Sequence, residues 1–574
     1  MIKTIKNYLL FLLLATCSVV FAQEEEKEID TEIINVVKPY TPKVSDAFKI
    51  KENPTLTDST TTKRKTVNYR IFSQPVASTF TPAKGKAEVI QKAPREKLYD
   101  TYIGFGLGNF NTAKLDFYTT QEIDRDTDLN ISLKHHSSQG GIDNVILDDK
   151  FFDTDLGLKF SRNERDFSWE ANGGLQHQLY NWYGLTIPTT FSDQQIAVID
   201  PQQNFLSGFI GGEITFEDGI FKGVDLNVRR SWDSFDSRET HIVINPSIQF
   251  PIENELITAT FTADYLTGAF DREYFNNVGL SYQYLKTGLS GGLTLLRDDV
   301  TLNLGAAVYY GFNAETEDGD VFIYPRVTAS YRLVDEYVIL FGGVEGDLVQ
   351  NNYYKFYQDN RFVSPTLNVI PTDVKYDAYV GMKGKLSANV GYSVQGGFSV
   401  KNDHPFYVSN PANNLLNDQG YSYGNSFGVI YDNVKTLSFS GKLSYEISSD
   451  LSLSARATIY DYKTDNIDTA WNLPEVTANA MVDYQINKNW YLGGSIFYTG
   501  ARQNNVFPID PNRAATTLKS FFDINSYLGY RISEKFTIFM NINNLTNQNY
   551  QKWENYPVQG FQFLAGITYG FDLK

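Results

Sequence analysis

Cysteine, histidine and positive charge are all scarce in this chain of 574 residues, which has one Cys, five His and a net charge of −17. So few sulfur and imidazole ligands exclude a zinc scaffold and a disulfide framework. The acidic balance argues against a nucleic-acid-binding protein, because such a protein needs a basic face. No Ser/His/Asp set can be assigned in the sequence, and no cofactor motif is present. We therefore predict that the chain is not an enzyme and binds no cofactor.

Long apolar runs are also missing. After residue 22 no stretch approaches the 18 or so consecutive apolar residues of a membrane-spanning helix. Aromatic residues are abundant instead, since 38 Tyr and 40 Phe occur beside 42 Gly. This mixture favours a large all-β protein. The chain is therefore either a soluble protein or crosses a membrane as strands.

The first 22 residues predict a secretory signal peptide. Lys3 and Lys6 form a basic start, an apolar stretch follows, and Ala22 is a small residue suited to cleavage. A lipoprotein signal at Cys17 is the alternative, although the residues after that Cys are too apolar for the start of a mature lipoprotein.

Residues 23–98 predict a Pro-rich extended tail in the periplasm. Proline recurs between runs of Lys and Glu, as in Lys38-Pro39, Thr41-Pro42 and Asn53-Pro54. Because proline interrupts regular structure and the segment is highly charged, the tail has little core of its own.

From Tyr99 to Lys574, apolar and polar residues alternate in segment after segment. The alternation predicts strands with one apolar face, because successive side chains of a strand point to opposite sides. In the last segment only Leu564 breaks the pattern. The apolar face of that segment consists of Phe561, Phe563, Ala565, Ile567, Tyr569, Phe571 and Leu573.

The connections between these segments are of two kinds, short polar turns and long polar loops. Short turns on one side and long loops on the other are typical of outer-membrane barrels, in which the flanking aromatic residues form an interfacial girdle. The short turns lie within 250–256, 331–337, 384–390, 445–451, 484–490 and 530–536, and the long loops within 184–205, 351–373, 402–420, 463–472, 503–517 and 546–560.

We therefore predict that residues 99–574 form an all-β, transmembrane antiparallel β-barrel in the lipid of the bacterial outer membrane. Direct marking gives about 24 strands, and joining one doubtful break within 274–312 and another within 421–447 leaves about 22. A soluble solenoid or propeller is the alternative, but the chain shows no fixed repeat period.

Residues 473–574 resemble the C-terminal barrel of the TonB-dependent receptors. The resemblance is clear over about a fifth of the chain, and the count of 22 strands also matches that family. It implies a role in transport or in solute binding at the cell surface. The residues that carry it are Leu473-Pro474, Asn489-Trp490-Tyr491-Leu492-Gly493-Gly494, Tyr498-Thr499-Gly500, Phe522-Asp523-Ile524, the run NINNLTNQNY from Asn541 to Tyr550, and Gly570-Phe571.

The chain departs from that family at its N-terminal side. The family's receptors carry a plug domain inside the lumen, whereas Gln23 to Leu98 is too short and shows no compact α/β pattern, so we predict that a standard plug is missing. A wide barrel then needs another filling, which could be the tail, inward-folded loops or a partner protein. A TonB-box-like segment is the remaining sign of energy coupling. It consists of Glu32, Ile33, Ile34, Val36 and Val37.

The C-terminal strand is a candidate recognition element. Tyr569, Phe571 and Leu573 form an alternating apolar edge at the chain end, similar to the signal that the barrel-assembly machinery reads in outer-membrane proteins by strand addition. The simpler interpretation is a last lipid-facing strand, and the two roles are compatible.

Metal sites are not predicted. His135 and His136 are adjacent on a predicted strand and point to opposite faces. Asp124, Asp126 and Asp128 have the spacing of a calcium loop, but Leu129 replaces the glycine that such a loop needs, which favours a solvated turn.

Two functions of different classes follow. The first is a transport protein that resembles a TonB-dependent receptor without a standard plug. The second is a non-enzymatic scaffold of an outer-membrane complex, in which the tail recruits a periplasmic or surface protein.

Overall fold

The computed structural model describes residues 99–252, 255–413, 419–506 and 515–573. The predicted signal peptide, the tail and the TonB-box-like segment lie outside these residues. Of the helices in this part of the chain, none has the length and apolar character needed to cross a membrane.

The described chain is built almost entirely of strands, with two short helices, α1 (Asp193–Ile196) and α2 (Tyr353–Asp359). The strands in chain order are β1 (Thr101–Gly108), β2 (Ala113–Asp124), β3 (Thr127–Ser138), β4 (Phe151–Asn163), β5 (Phe167–Asn181), β6 (Gln202–Phe216), β7 (Phe221–Asp233), β8 (Arg238–Ile252), β9 (Glu255–Phe270), β10 (Leu280–Arg297), β11 (Val300–Asn313), β12 (Asp318–Val334), β13 (Val338–Val349), β14 (Thr372–Ser387), β15 (Val390–Ser409), β16 (Phe427–Ser448), β17 (Leu451–Thr464), β18 (Val476–Gln485), β19 (Trp490–Thr499), β20 (Arg502–Asn504), β21 (Thr516–Leu518), β22 (Phe521–Arg531), β23 (Phe536–Asn543), β24 (Gln551–Trp553), β25 (Tyr556–Pro557) and β26 (Gln562–Phe571).

Twenty-two of these strands form one closed antiparallel sheet. Each wall strand pairs with its sequence neighbours in the wall, and β26 pairs with β1 to close the cylinder. The remaining four, β20, β21, β24 and β25, make two small hairpins within the long loops. Closure pairs the backbone groups of every wall strand on both sides, which is what a lipid environment requires. The predicted barrel of about 22 strands is confirmed.

The wall is apolar outside and polar inside. Ile210 on β6 and Ile323 on β12 point outward and are 73% and 71% exposed. Inward-facing residues of β9 to β12 include Thr258, Asn303 and Arg326, which line a polar concavity. Most of the large apolar side chains left in the open lie on the outward face, as expected of a sheet that lies in lipid. A sandwich would bury them against a second sheet.

The two ends of the barrel differ as predicted. At one end, which we call the short-turn end, strands are joined by tight turns such as the two residues between Ser448 and Leu451. Aromatic residues beside these turns, including Tyr331, Tyr337 and Trp490, are exposed on the barrel surface. The opposite end, the long-loop end, carries the long connections. Those connections include 139–150, 182–201, 350–371, 410–426, 465–475, 500–520 and 544–561.

Wall strand β15 extends well into a predicted loop. We expected a loop over 402–420, but β15 continues to Ser409 and pairs with the start of β16. Phe406 and Val408, on the covered face of this extension, are buried against Trp471 of the next loop. This packing covers one face of the extended strand. The doubtful break within 421–447 is absent, since β16 runs uninterrupted from Phe427 to Ser448.

Candidate functional site: a loop cap in the barrel mouth

The long-loop end is filled by the chain's own loops. The loops 139–150, 182–201, 350–371, 410–426 and 544–561, in their described parts, form a packed unit that we call the cap. Its core joins loop residues to inward-facing wall residues, so the cap lies within the mouth. The buried members are Leu147, Tyr183, Leu185, Ile199, Phe205, Leu266, Phe270, Tyr282, Tyr284, Tyr353, Phe356, Tyr357, Val363, Leu367, Val369, Phe427, Trp553 and Tyr556.

The burial of inward-facing residues shows how deep the cap reaches. On β9 the inward residues Asp264, Leu266 and Phe270 are buried, whereas Thr258 and Thr260, nearer the short-turn end, remain accessible. Because all five alternate on the same face of one strand, the change marks the lower surface of the cap. Beneath it the polar lumen continues.

Helix α2 is the centre of the cap. Tyr353, Phe356 and Tyr357 are almost fully buried, and the ring of Tyr357 stacks on Phe205 of the wall with 4.2 Å between ring centroids. Asn352 caps the helix by accepting the backbone N–H of Lys355 at 2.7 Å. Burying a side chain of this size stabilises by a few kcal/mol, roughly 2–3 for each aromatic ring.

A single wall carboxylate holds the start of α2. Glu239 of β8 accepts the backbone N–H groups of Tyr353 at 2.6 Å and Tyr354 at 3.1 Å, and the hydroxyl of Tyr282 at 2.7 Å. The first N–H groups of a helix have no partner within the helix, so a carboxylate placed there accepts their hydrogen bonds. Its negative charge also interacts favourably with the positive end of the helix dipole. The hydroxyl of Tyr353 in turn donates to Asp233 at 2.9 Å.

The other end of α2 is held by an ion pair. Arg361 lies 3.2 Å from Asp153 of β4, and its guanidinium sits 4.2 Å from the ring centroid of Tyr180. Burial lowers the pKa of Arg361, although the nearby Asp153 carboxylate opposes the shift. A second contact joins the helix to the wall, since Gln358 donates to Gln178 at 2.8 Å.

The remaining loops contact one another through stacked aromatic rings and through hydrogen bonds to backbone carbonyls. The rings of Phe362 and Tyr556 stack at 3.6 Å, and the hydroxyl of Tyr183 donates to the Pro557 carbonyl at 2.9 Å. The indole of Trp182 donates to the Phe362 carbonyl at 3.2 Å. Burial raises the pKa of Tyr556 well above its usual value, so this phenol stays neutral. The cap is a hydrogen-bonded aromatic core rather than a set of independent loops.

The predicted C-terminal residues lie where the alternation placed them. Tyr569 and Phe571 are on β26 with their rings 5.5 Å apart, and Tyr569 and Leu573 are exposed on the outer surface. Leu564, the residue that broke the alternation, points inward and is buried. In the finished barrel β26 pairs with β1 and β23, so its role in assembly stays a prediction about the chain before closure.

The candidate metal residues are dispersed. The backbone N–H of Asp126 donates to Asp124 at 3.0 Å within the turn between β2 and β3. His135 bonds Thr154 at 2.7 Å, and His241 lies 2.8 Å from Asp264. Within the ranges that the structure describes, no group of three His, Cys, Asp or Glu residues is placed to hold a metal.

The cap itself was not predicted from the sequence, beyond the general option that inward-folded loops fill the lumen. A signal was present, since loop 350–371 contains the aromatic run Tyr353-Tyr354-Lys355-Phe356-Tyr357 and loop 544–561 contains Trp553 and Tyr556. Aromatic residues are costly to expose in a solvated loop, so their concentration there indicates burial.

Comparison with known proteins identifies the class of fold. No protein-family model and no curated protein matches the sequence. Solved structures of outer-membrane receptors match it, and these receptors are TonB-dependent, which confirms the predicted resemblance at the level of the fold.

Three of these structures show the extent of the match. The FrpB iron transporter from Neisseria meningitidis has a TM-score of 0.64 and 11% identity, over 83% of this chain and 83% of that one. The pyoverdine receptor FpvA from Pseudomonas aeruginosa has a TM-score of 0.61 and 11% identity, over 84% and 79%. The ferric-catecholate import receptor Fiu from E. coli K12 has a TM-score of 0.58 and 11% identity, over 84% and 82%. The barrel therefore has the fold of these outer-membrane receptors.

Proposed function

We propose that this chain is a transport protein of the outer membrane that works without a standard plug and binds or admits a solute at its loop cap. The observation that carries the proposal is the cap itself, a packed core of loops inside the mouth of a 22-stranded barrel. A barrel of this size would leak if it were open. Loops that close the mouth supply the barrier that a plug would otherwise supply.

The direction of the barrel follows from its connections. Short turns face the periplasm and long loops the exterior in outer-membrane barrels. The cap is thus at the cell surface, where a solute arrives first, and the polar lumen below it leads toward the periplasm.

The solute class to test first is a ferric chelate. The structural neighbours are named as an iron transporter, a ferric-catecholate import receptor and a receptor bound to pyoverdine. Trp182 and Trp553 lie in the cap and report on it by fluorescence. We expect a ferric catecholate or ferripyoverdine to change their emission in a saturable way, and the iron-free chelator to bind more weakly. The ferric-chelate assignment fails if neither compound changes the emission.

The barrier role is tested by conductance. Replacing residues 350–371 by a short Gly-Ser linker removes α2, so we expect a large stable conductance in planar bilayers that the unaltered protein lacks. The matched control shortens loop 465–475, whose Trp471 packs on Phe406 and Val408 rather than on α2. Equal conductance in all three proteins would contradict a cap that closes the lumen.

Energy coupling rests on the segment Glu32 to Val37, which lies outside the described residues. If this segment is a TonB box, its deletion abolishes uptake while leaving surface binding unchanged. Deleting residues 23–98 as a whole separates a stopper from a docking arm, because leakage follows only in the first case.

A scaffold role remains the second candidate, favoured by the interlocked character of the cap. Its stacked rings and carbonyl contacts fill the space between Trp182, Phe362 and Tyr556. An intact scaffold would stay silent in bilayers, would bind neither ferric chelate, and would co-purify with a periplasmic or surface protein in fixed proportion.

A further inference from the structure

The outer surface of the barrel changes character along β7 and β8. Val228 on β7 and Ile242 on β8 are cross-strand partners on the outward face, as expected of residues in lipid. Two residues nearer the long-loop end, Arg230 pairs with Thr240 on the same face. Two residues further still, Trp232 pairs with Arg238. Two arginines and a tryptophan thus lie next to the apolar part of the outer surface, on its long-loop side.

These arginines point away from the lumen. They alternate on β7 with the inward-facing Arg229 and Asp233, and on β8 with the inward-facing Glu239. The carboxylates of Asp233 and Glu239 are buried beneath the cap, on the opposite side of the sheet. The wall therefore separates the arginines from the nearest buried carboxylates.

Neither guanidinium has an anionic partner in the part of the chain that the structure describes. Arg230 is exposed and donates to the Thr240 hydroxyl. Arg238 is exposed and makes no ion pair with any described residue. By contrast Lys435, which points outward on β16 at the same end of the barrel, lies 3.9 Å from Asp465.

The height of the pair fits the edge of the hydrocarbon. Arg230 is nine residues along β7 from Phe221, near the short-turn end. At a rise of about 3.3 Å per residue and a strand tilt of roughly 40°, this corresponds to about 23 Å along the membrane normal, close to the ~25 Å apolar band of such barrels. Trp232, beside the arginines, is exposed on the same face and is a residue type that sits at membrane–water interfaces.

We propose that Arg230 and Arg238, with the Thr240 hydroxyl and Trp232, form a binding site for the phosphate of a lipid headgroup in the outer leaflet. A guanidinium offers a planar fork of donors that matches two phosphate oxygens, and it sheds its hydration more readily than an ammonium group does. Two such groups on adjacent strands, facing the headgroup layer and lacking a protein carboxylate, bind a phosphomonoester better than a neutral headgroup.

The test uses the full chain in detergent, titrated with diphosphoryl lipid A and followed by native mass spectrometry. We expect the variant R230Q/R238Q to bind this probe at least tenfold more weakly, and each single variant to lie between it and the parent. The matched control is Lys435→Gln, which removes an outward cation that already has a carboxylate partner and should leave binding unchanged. A heat-dependent gel shift verifies that each variant is folded.

Two further arms separate the sources of the phosphate. Fully dephosphorylated lipid A should bind weakly to the parent and the double variant alike, and millimolar inorganic phosphate should not displace the phosphorylated lipid. The proposal is overturned if the double variant binds diphosphoryl lipid A as the parent does, or if inorganic phosphate competes on equal terms. It is also overturned if the double substitution removes a co-purifying protein and leaves lipid binding intact.

Discussion

At the scale of single residues, the closed mouth of the barrel depends on a few buried polar groups. Glu239 satisfies two backbone N–H groups of α2 and the hydroxyl of Tyr282. Arg361 joins the far end of the same helix to Asp153. Such groups matter because an unpaired donor in a dry core costs more than the bond itself contributes.

The substitution Glu239→Ala tests this anchor. It leaves two N–H groups and one hydroxyl without an acceptor, so we expect the cap to lose about 3 kcal/mol of stability. Proteolysis within 350–371 should accelerate, and the urea midpoint of tryptophan fluorescence should fall. Glu213→Ala is the control, since among the described residues this exposed inward carboxylate accepts a side-chain hydrogen bond only from Thr215. Equal cleavage of the two variants would count against Glu239 as the anchor.

At the scale of elements, β26 closes the wall, and we predict that it also acts as a recognition element before closure. In the finished molecule it closes the cylinder by pairing with β1 and β23, and its outward residues meet lipid. Before closure its edges are free, and an apolar alternating edge is suited to strand addition by the assembly machinery.

Comparing Phe571→Ala with Phe522→Ala distinguishes the wall role of β26 from its predicted recognition role. Both remove an outward aromatic ring, and Phe522 lies on the non-terminal strand β22. If the terminal strand is a recognition signal, the Phe571 variant yields several-fold less folded barrel in the outer membrane while the Phe522 variant assembles normally. A heat-modifiable band on gels measures the folded fraction. Similar yields would mean that β26 acts only as wall.

At the scale of the whole molecule, the sorting of side chains between lipid and lumen determines stability. The outward face presents isolated large apolar residues such as Ile323, and the inward face presents small polar ones such as Thr260. The same added charge should therefore destabilise the barrel on the outward face and have little effect on the inward face.

We expect Ile210→Lys to destabilise the barrel by about 2–4 kcal/mol. Ile210 lies six residues along β6 from Phe216 at the short-turn end, near the middle of the apolar band, so the change places an ammonium group in hydrocarbon. Thr260→Lys should be nearly neutral, since the inward face is polar and accessible. Urea titration of barrels folded into lipid vesicles measures both. A barrel that tolerates the first change as well as the second would not have its apolar face in lipid.

Much of the wall could be predicted from the sequence because strand alternation is a local property. Tyr569 and Leu573 lie on the expected face. Strand β16 is continuous from Phe427 to Ser448, as the alternation of short turns and long loops had predicted when it removed the doubtful break within 421–447. The extension of β15 to Ser409 could not be predicted, because its burial depends on Trp471, which is distant in the sequence.

The sequence by itself determined the closed cylinder, since the period of two, the turn asymmetry and the lack of long apolar runs leave few other ways to satisfy every backbone group in lipid. Only the tertiary structure decided what fills the mouth and what the outer rim displays. Glu239 meets Tyr353 across 114 positions of chain, and Arg230 comes beside Arg238 only through strand register. Contacts of this kind arise from closure of the barrel, and no local pattern encodes them.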